Sequence, residues 1–509
     1  MSLDLLLLLG ALIVLAGVGA AKLGDRLGLP ALLLFLALGV ILGFDDALSF
    51  NSATLAHDLG FAALVVILTE GGLATKWREI KPAVIPAILL CSAGVAITIA
   101  LQSVFGFFAL GLPLATAVLL AAIMAPTDSA AVFSVLKHVP LPAKIRSVLE
   151  GESGLNDAPS VLFVIAATEL AMGTLAMDVS LAWTGLLIIA ELLGGIAFGA
   201  LFGYLGVRTL RSLALPASGL YPLAVIGWAV VAYGLGVVLH ISGFAAVYVC
   251  AVVLGNGKLP HRHAARSFAD GMAWIAQIGL FVMLGLLVDI RSMKWEYFVI
   301  AILGGLVLTF VVRPIAVWLC TIPFAFTTKV GKPRRIQQRF TLAEKAFVSW
   351  GGLRGAVPIV LATIPMAYGL DNATTIFDIT FITVVFLTLI NGPTLPWVAK
   401  ILGLAGEAFE VDIEVAPLDE ADADMMTISV SDQSKLHGVT VAELGLPPNA
   451  QVSLIIRGER MFTPHGRDII QAGDQLLMVT PTAVRDKIEE RMKLVDRGGR
   501  LAGWLRRDN

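Results

Sequence analysis

Charge is what this sequence has least of. Asp, Glu, Lys and Arg make up 15% of its 509 residues, where soluble globular chains carry about a quarter. The shortage excludes an ordinary soluble protein over most of the length. It is also uneven: up to about residue 400 the chain is a succession of long apolar runs, and from about Glu407 it reads as a small soluble domain. Cysteine is nearly absent. Cys91, Cys250 and Cys320 all fall in apolar runs without ligand spacing, which excludes a disulfide framework and a cysteine metal centre and leaves them as small hydrophobes. A net charge of −2 gives no ground for a nucleic-acid partner. A positively charged leader is missing too. The only early charge is Asp4, and the apolar run over 5–21 is long enough to span a bilayer, so the N-terminus reads as a transmembrane helix. Nothing calls for a cofactor or for enzymatic chemistry.

What is present is an all-α polytopic membrane pattern. The apolar runs resolve into thirteen spans with cores near 3–21, 29–43, 55–73, 83–108, 112–136, 145–170, 181–207, 219–239, 243–255, 268–288, 297–321, 341–366 and 376–402. One set of alternate loops carries lysine and arginine throughout, from Lys22 and Arg26 to Arg339 and Lys345. The other set holds only Arg291 and Lys294. By the positive-inside rule the N-terminus is outside and the C-terminal domain cytoplasmic.

Three carboxylates sit where the membrane should be. Asp128 lies in APTDSAAV, and Glu152 and Asp157 lie in EGESGLNDAPSV. A charge at the bilayer centre costs ~3 kcal/mol even on a lenient scale, so it marks an ion or proton pathway by default. Counted from the cytoplasmic ends of the fifth and sixth spans, Asp128 is ~13 Å deep and Asp157 ~18 Å deep at 1.5 Å per residue. On the sixth span Glu152, Ser153, Asn156, Asp157 and Ser160 form one polar stripe, and Thr127 adds a neutral oxygen beside Asp128. A seam of polar residues gluing helices together is the bland reading. It suits Ser153 and Ser160 better than the acids.

Two spans look broken. Pro126 stands inside the fifth and removes a helix hydrogen bond. The twelfth carries SWGGLRGAVPIV, with Gly351, Gly352, Gly355 and Pro358 around Arg354; glycine there permits strained backbone. The two spans are seven apart and so cross in opposite senses, as an inverted repeat of spans 1–6 onto spans 8–13 requires. Discontinuous helices at the midplane are where secondary transporters bind ions. Arg354, and Arg313 in the eleventh span, need buried partners. Glu152 and Asn156 are the expected partners of Arg313, and freed backbone carbonyls those of Arg354.

APTD, GESGLND, the arginine of the eleventh span and WGGLRGAVPI together resemble the bacterial cation/proton antiporters of the NhaP type, over about residues 1–405. The resemblance implies thirteen helices in inverted six-helix repeats, a homodimer in the bacterial inner membrane among its lipids, and a cation held between two crossed broken helices. It makes Asp157, Glu152, Ser153 and the Thr127 carbonyl cation ligands, with Asp128 acting through water. Asn156 and Arg313 become scaffold, and the Asn156-Asp157 pair matches the electroneutral branch. A carboxylate alternating between K+ or Na+ and H+ is then the exchanging group. A regulated potassium channel is the alternative, against which stands the lack of a TVGYG-like filter. A solute symporter and an intramembrane aspartyl protease fit the compact acidic site and its flanking residues less well.

The remainder divides into an acidic linker over 406–424, a small α+β domain over 425–497 and a tail over 498–509. Strands are expected in TISV, VSLIIRG, RMFT and QLLMVT, and a charged helix closes the domain. The stretch over 436–479 resembles the TrkA-C regulatory domain, which implies the cell-volume-regulation type of potassium/proton antiporter and a nucleotide as one candidate ligand.

Overall fold

The computed structural model describes residues 3–44, 52–136, 139, 141–174, 181–213, 215–324, 340–405, 411–418, 423–431, 434–447, 450–458, 460–481 and 484–499. The chain forms two compact units, Met1–Gly406 and Glu407–Asn509.

The first unit is helical. Its main helices are α1 (Leu3–Leu27), α2 (Ala31–Leu42), α3 (Ala53–Ala74), α4 (Trp77–Phe108), α5 (Leu114–Ile123), α6 (Ser129–Val135), α7 (Ala143–Met172) and α8 (Leu181–Ser212). They continue with α9 (Leu220–Val238), α10 (Gly243–Asn256), α11 (Arg262–Leu286), α12 (Trp295–Phe324), α13 (Leu342–Trp350), α14 (Ala356–Ala367) and α15 (Ala373–Ile401). Among the described residues, nine helices are long and apolar enough to cross a membrane, and α2, α5, α10 and α14 are shorter apolar helices. The physical reason for helix is the medium. In hydrocarbon every backbone N–H and C=O must be satisfied within the protein. Pro30, Pro113 and Pro142 stand at the N-caps of α2, α5 and α7, where a missing amide proton costs the helix nothing.

Small residues bring some helices together backbone against backbone. Methyl groups at Gly195, Gly199 and Gly203 of α8 would run into α10 at Ser242, Ala246 and Cys250, a run of small residues at every fourth position. Gly72 and Gly255 do the same between α3 and α10, and Gly39 and Gly285 between α2 and α11.

One succession of irregularities occurs twice. α4 contains a π turn at Leu90–Gly94 and is followed by a helix interrupted between α5 and α6, then by the long α7. α12 contains a π turn at Leu308–Val312 and is followed by a helix interrupted between α13 and α14, then by the long α15. The positions of these breaks qualify two expectations. Gly351, Gly352 and Gly355 are not among the residues with positive φ, so strained backbone is not why glycine stands there. Pro358 lies in the first turn of α14, after the break, where proline is tolerated. Pro159, inside α7, does not interrupt that helix.

The second unit is a five-stranded antiparallel sheet with one helix. Its strands are β1 (Val411–Leu418), β2 (Ala423–Val430), β3 (Gln451–Arg457), β4 (Arg460–Phe462) and β5 (Gln475–Pro481), in the order β1-β2-β5-β3-β4, and the helix is α16 (Arg485–Gly498). Met426, Ile428, Ile455, Leu476 and Met478 of the sheet meet Ile488, Met492 and Val495 of α16 in its core. β1 falls inside the stretch expected to be an acidic linker. VDIEVAPL alternates apolar and acidic residues, which is a strand pattern that a count of charges conceals. Residues 406–410, 419–422 and 500–509 of the expected linker and tail lie outside the described residues.

A buried carboxylate ties this sheet to its loops. Asp474 is fully buried and accepts from Arg457 Nε at 2.7 Å, Arg457 Nη2 at 2.8 Å and the Gln471 amide at 2.8 Å. Those bonds hold the Arg457 guanidinium above its ordinary pKa. Asp474→Ala is expected to destabilise this unit by roughly 2–3 kcal/mol. The check is hydrogen exchange in the full-length protein, with protection lost over β3 and β5 and unchanged in α7.

Candidate functional site

The site is built where the two interruptions meet. α5 ends at Ile123, and the chain is irregular through Met124, Ala125, Pro126, Thr127 and Asp128 before α6 begins at Ser129. The facing interruption runs from Gly351 to Gly355. Each break satisfies groups that the other exposes. The Asp128 amide donates to the Leu353 carbonyl at 2.8 Å. Arg354 Nη1 donates to the carbonyls of Ala125 at 2.6 Å and Pro126 at 2.5 Å. Thr388 of α15 donates its hydroxyl to the Arg354 carbonyl at 3.0 Å. Arg354 is 1% exposed, so its charge is matched by carbonyl dipoles.

Close approach explains the glycines. A methyl group at Gly355 would overlap the Asp128 carboxylate, and one at Gly352 would crowd Arg313 Nε. The Asp128 Oδ1 also accepts from the Ala131 amide at 3.2 Å, capping the start of α6.

α7 brings the other acids. Glu152 takes a two-pronged ion pair from Arg313, Nη1 to Oε1 at 2.6 Å and Nη2 to Oε2 at 2.8 Å, both residues buried. Asn156 does not join Arg313. It donates through Nδ2 to Thr127 Oγ1 at 2.8 Å and to the Thr127 carbonyl at 3.4 Å. Asn156 therefore ties α7 to the first break, and Arg313 ties it to α12. The Thr127 hydroxyl reaches Glu152 Oε1 at 3.4 Å. Ser153 is half-buried beside Glu152. Ser160 donates back to the Asn156 carbonyl at 2.7 Å and supports the helix rather than the cluster.

The chemistry rests on what is left over. Oδ1 of Asp157 and Oδ1 of Asn156 are both buried without a hydrogen-bond partner. Asp157 is 8% exposed, and Asp128 lies within electrostatic reach of it. A buried oxygen left unpaired costs about 1–3 kcal/mol. A positive charge there, whether a monovalent cation or a proton, would remove that cost.

Three features have no local signature in the sequence. Thr388 reads as one more threonine in an apolar helix. The Lys144–Glu344 pair at 2.8 Å, which joins α7 to α13, links residues 200 positions apart. The π turn directly before Arg313 depends on backbone register rather than on any residue type.

Comparison with known proteins gives a consistent picture. The profile of the family "Sodium/hydrogen exchanger, transmembrane" matches residues 10–401, and that of the TrkA-C domain matches residues 425–493. The chain is 30% identical over 488 residues to the K(+)/H(+) antiporter NhaP2 of Shewanella baltica (strain OS223), covering 94% of this chain and 81% of that protein. It is 30% identical over 493 residues to the K(+)/H(+) antiporter NhaP of Alkalimonas amylolytica, covering 95% and 82%. To the Na(+)/H(+) antiporter NhaH of Halobacillus aidingensis it is 31% identical over 319 residues, covering 59% and 72%. Its fold is similar to the solved structure of the sodium proton antiporter MjNhaP1 from Methanocaldococcus jannaschii, with a TM-score of 0.66 at 23% identity, covering 80% of this chain and 100% of that one. The helices interrupted at Pro126 and Arg354 are thus those of a multi-pass cation/proton antiporter, and the chain belongs to the sodium/hydrogen exchanger family, with a TrkA-C domain following its membrane unit.

Proposed function

We propose that the protein exchanges K+ for H+ with one charge moving each way, through Asp157. The observation that carries this is the unpaired Asp157 oxygen beside the neutral Asn156, at the meeting of two interrupted helices. With Glu152 committed to Arg313, Asp157 is the group that titrates. A proton and a cation compete for it, and a site that turns over only when occupied makes exchange obligatory. Ser153, the Thr127 carbonyl and Asp128, acting through water, complete the oxygen set around the ion. Asn156, Arg313 and Arg354 are scaffold.

The K+ preference rests on the names of the NhaP2 and NhaP relatives and on the TrkA-C domain. The loop charges support an inner-membrane protein with its N-terminus outside and its C-terminal unit in the cytoplasm. Inverted repeats fit the repeated succession of π turn, broken helix and long helix, and the family resemblance supports a homodimer. The C-terminal unit tunes exchange, with a nucleotide as candidate ligand.

Everted membrane vesicles carrying an imposed proton gradient test the reading. KCl is expected to dissipate the gradient at lower concentration than NaCl, and a membrane potential is expected to leave the initial rate unchanged. A rate that climbs with potential means that more than one proton moves per cation, and Asp128 then joins the titration. A response to NaCl alone assigns Na+ as the ion.

A further inference from the structure

The ion-bearing helix meets one neighbour in an unusual way. α3 and α8 each pack on α10 backbone to backbone through glycines. α7 packs on all three helices of this block, and at Gly154 it meets the side chain of Tyr248 of α10. Its ring and hydroxyl lie over Gly154, and a methyl group there would overlap the Tyr248 hydroxyl. Tyr248 is 7% exposed. Its hydroxyl is 3.4 Å from Thr75 Oγ1, and because Thr75 donates to the Gly71 carbonyl at 2.7 Å, Tyr248 is the donor. That bond anchors the ring to the C-cap of α3. Asn256 adds a second tie, donating to the Thr75 carbonyl at 2.8 Å and accepting from the Trp77 amide at 2.9 Å.

Gly154 lies one residue after Ser153 and three before Asp157, so the ring sits about one helical turn from the exchanging carboxylate. It is on the side facing the basic loops, since α7 begins near Lys144 and Arg146 and α10 ends near Lys258. Alternating access requires the site to open to each side in turn, one bundle shifting against another. A glycine facing a fixed aromatic ring is a contact that can move without breaking hydrogen bonds. We infer that Tyr248 seals the cation site on the side of the basic loops and that α7 slides past its ring at Gly154 in each cycle. Tyr248 is a positioning residue in this account and Gly154 its clearance. The inference rests on the antiport reading.

Three variants in everted vesicles test it, beside wild-type protein whose KCl-driven proton movement establishes the antiport reading first. Gly154→Ala should lower the maximal exchange rate roughly tenfold or more, equivalent to one added step of barrier of about 1.4 kcal/mol, with the half-saturating KCl concentration unchanged. Tyr248→Ala should let protons leak when no KCl or NaCl is present. Gly154→Ala combined with Tyr248→Ala should regain turnover. Loss of fold would not produce that rescue, nor a cation-independent leak from a protein whose melting temperature in detergent is retained. If Gly154→Ala does not accumulate in the membrane, Tyr248→Trp enlarges the other partner and should slow turnover in the same way. A Gly154→Ala protein with wild-type rate, or one whose half-saturating KCl concentration rises instead, overturns the sliding contact. A tight Tyr248→Ala overturns the seal. A wild-type protein without cation-driven proton movement removes the antiport reading itself.

Discussion

Asp157→Asn is expected to abolish exchange and leave the protein folded. The substitution keeps the shape of the side chain and removes the carboxylate proposed above to alternate between a proton and a cation. Since Asp157 Oδ1 makes no hydrogen bond within the protein, replacing the carboxylate breaks no contact of that atom, and burial of an amide is less costly than burial of a charge. Detergent-solubilised Asp157→Asn should therefore elute and melt like wild type, while vesicles carrying it no longer respond to KCl or NaCl at any pH. Wild-type exchange should also fall toward low pH, because a protonated carboxyl has no room for a cation. An Asp157→Asn protein that still exchanges would remove Asp157 from the mechanism.

Arg313→Ala is the substitution expected to cost the most stability. It leaves the Glu152 carboxylate buried with both oxygens stripped of their guanidinium partner. Removing one partner of a buried ion pair costs ~3–5 kcal/mol, mostly as the penalty for the stranded charge. Arg313→Lys should recover only part of this, because an ammonium cannot supply the two parallel bonds. Changing both residues, Glu152→Leu with Arg313→Leu, should recover most of the melting temperature. The double variant thus separates a stranded charge from lost packing: if it melts no higher than Arg313→Ala, the pair is held for packing and not for charge balance.

The parts of this site that the sequence made legible are those that defy the membrane. Asp128, Glu152, Asp157, Arg313 and Arg354 stand out because charge in hydrocarbon needs a reason, and Pro126 because it removes a helix hydrogen bond beside one of those charges. The partners were harder to read. Arg354 takes carbonyls 229 and 228 positions away, and any backbone carbonyl looks alike in a sequence. Asn156 reads in the sequence as a partner of Arg313, whereas its amide goes to Thr127, inside the first helix break. The glycines around Arg354 were recognisable as special but for the wrong cause. Gly355 and Gly352 are needed for the space they leave to Asp128 and Arg313, not for a left-handed backbone. β1 was hidden for another reason, because its acidic residues made a strand look like a solvated spacer.

The π turn at Leu308–Val312 gives the length of α12 a meaning beyond span. A π turn holds one residue more than an α turn in the same rise, and each residue of an α-helix advances the side-chain direction by roughly 100°. From Trp295 to Val312, it is the number of residues that decides which way position 313 faces. The aim of the guanidinium at Glu152 is therefore stored as a count, which no single residue of the stretch reveals.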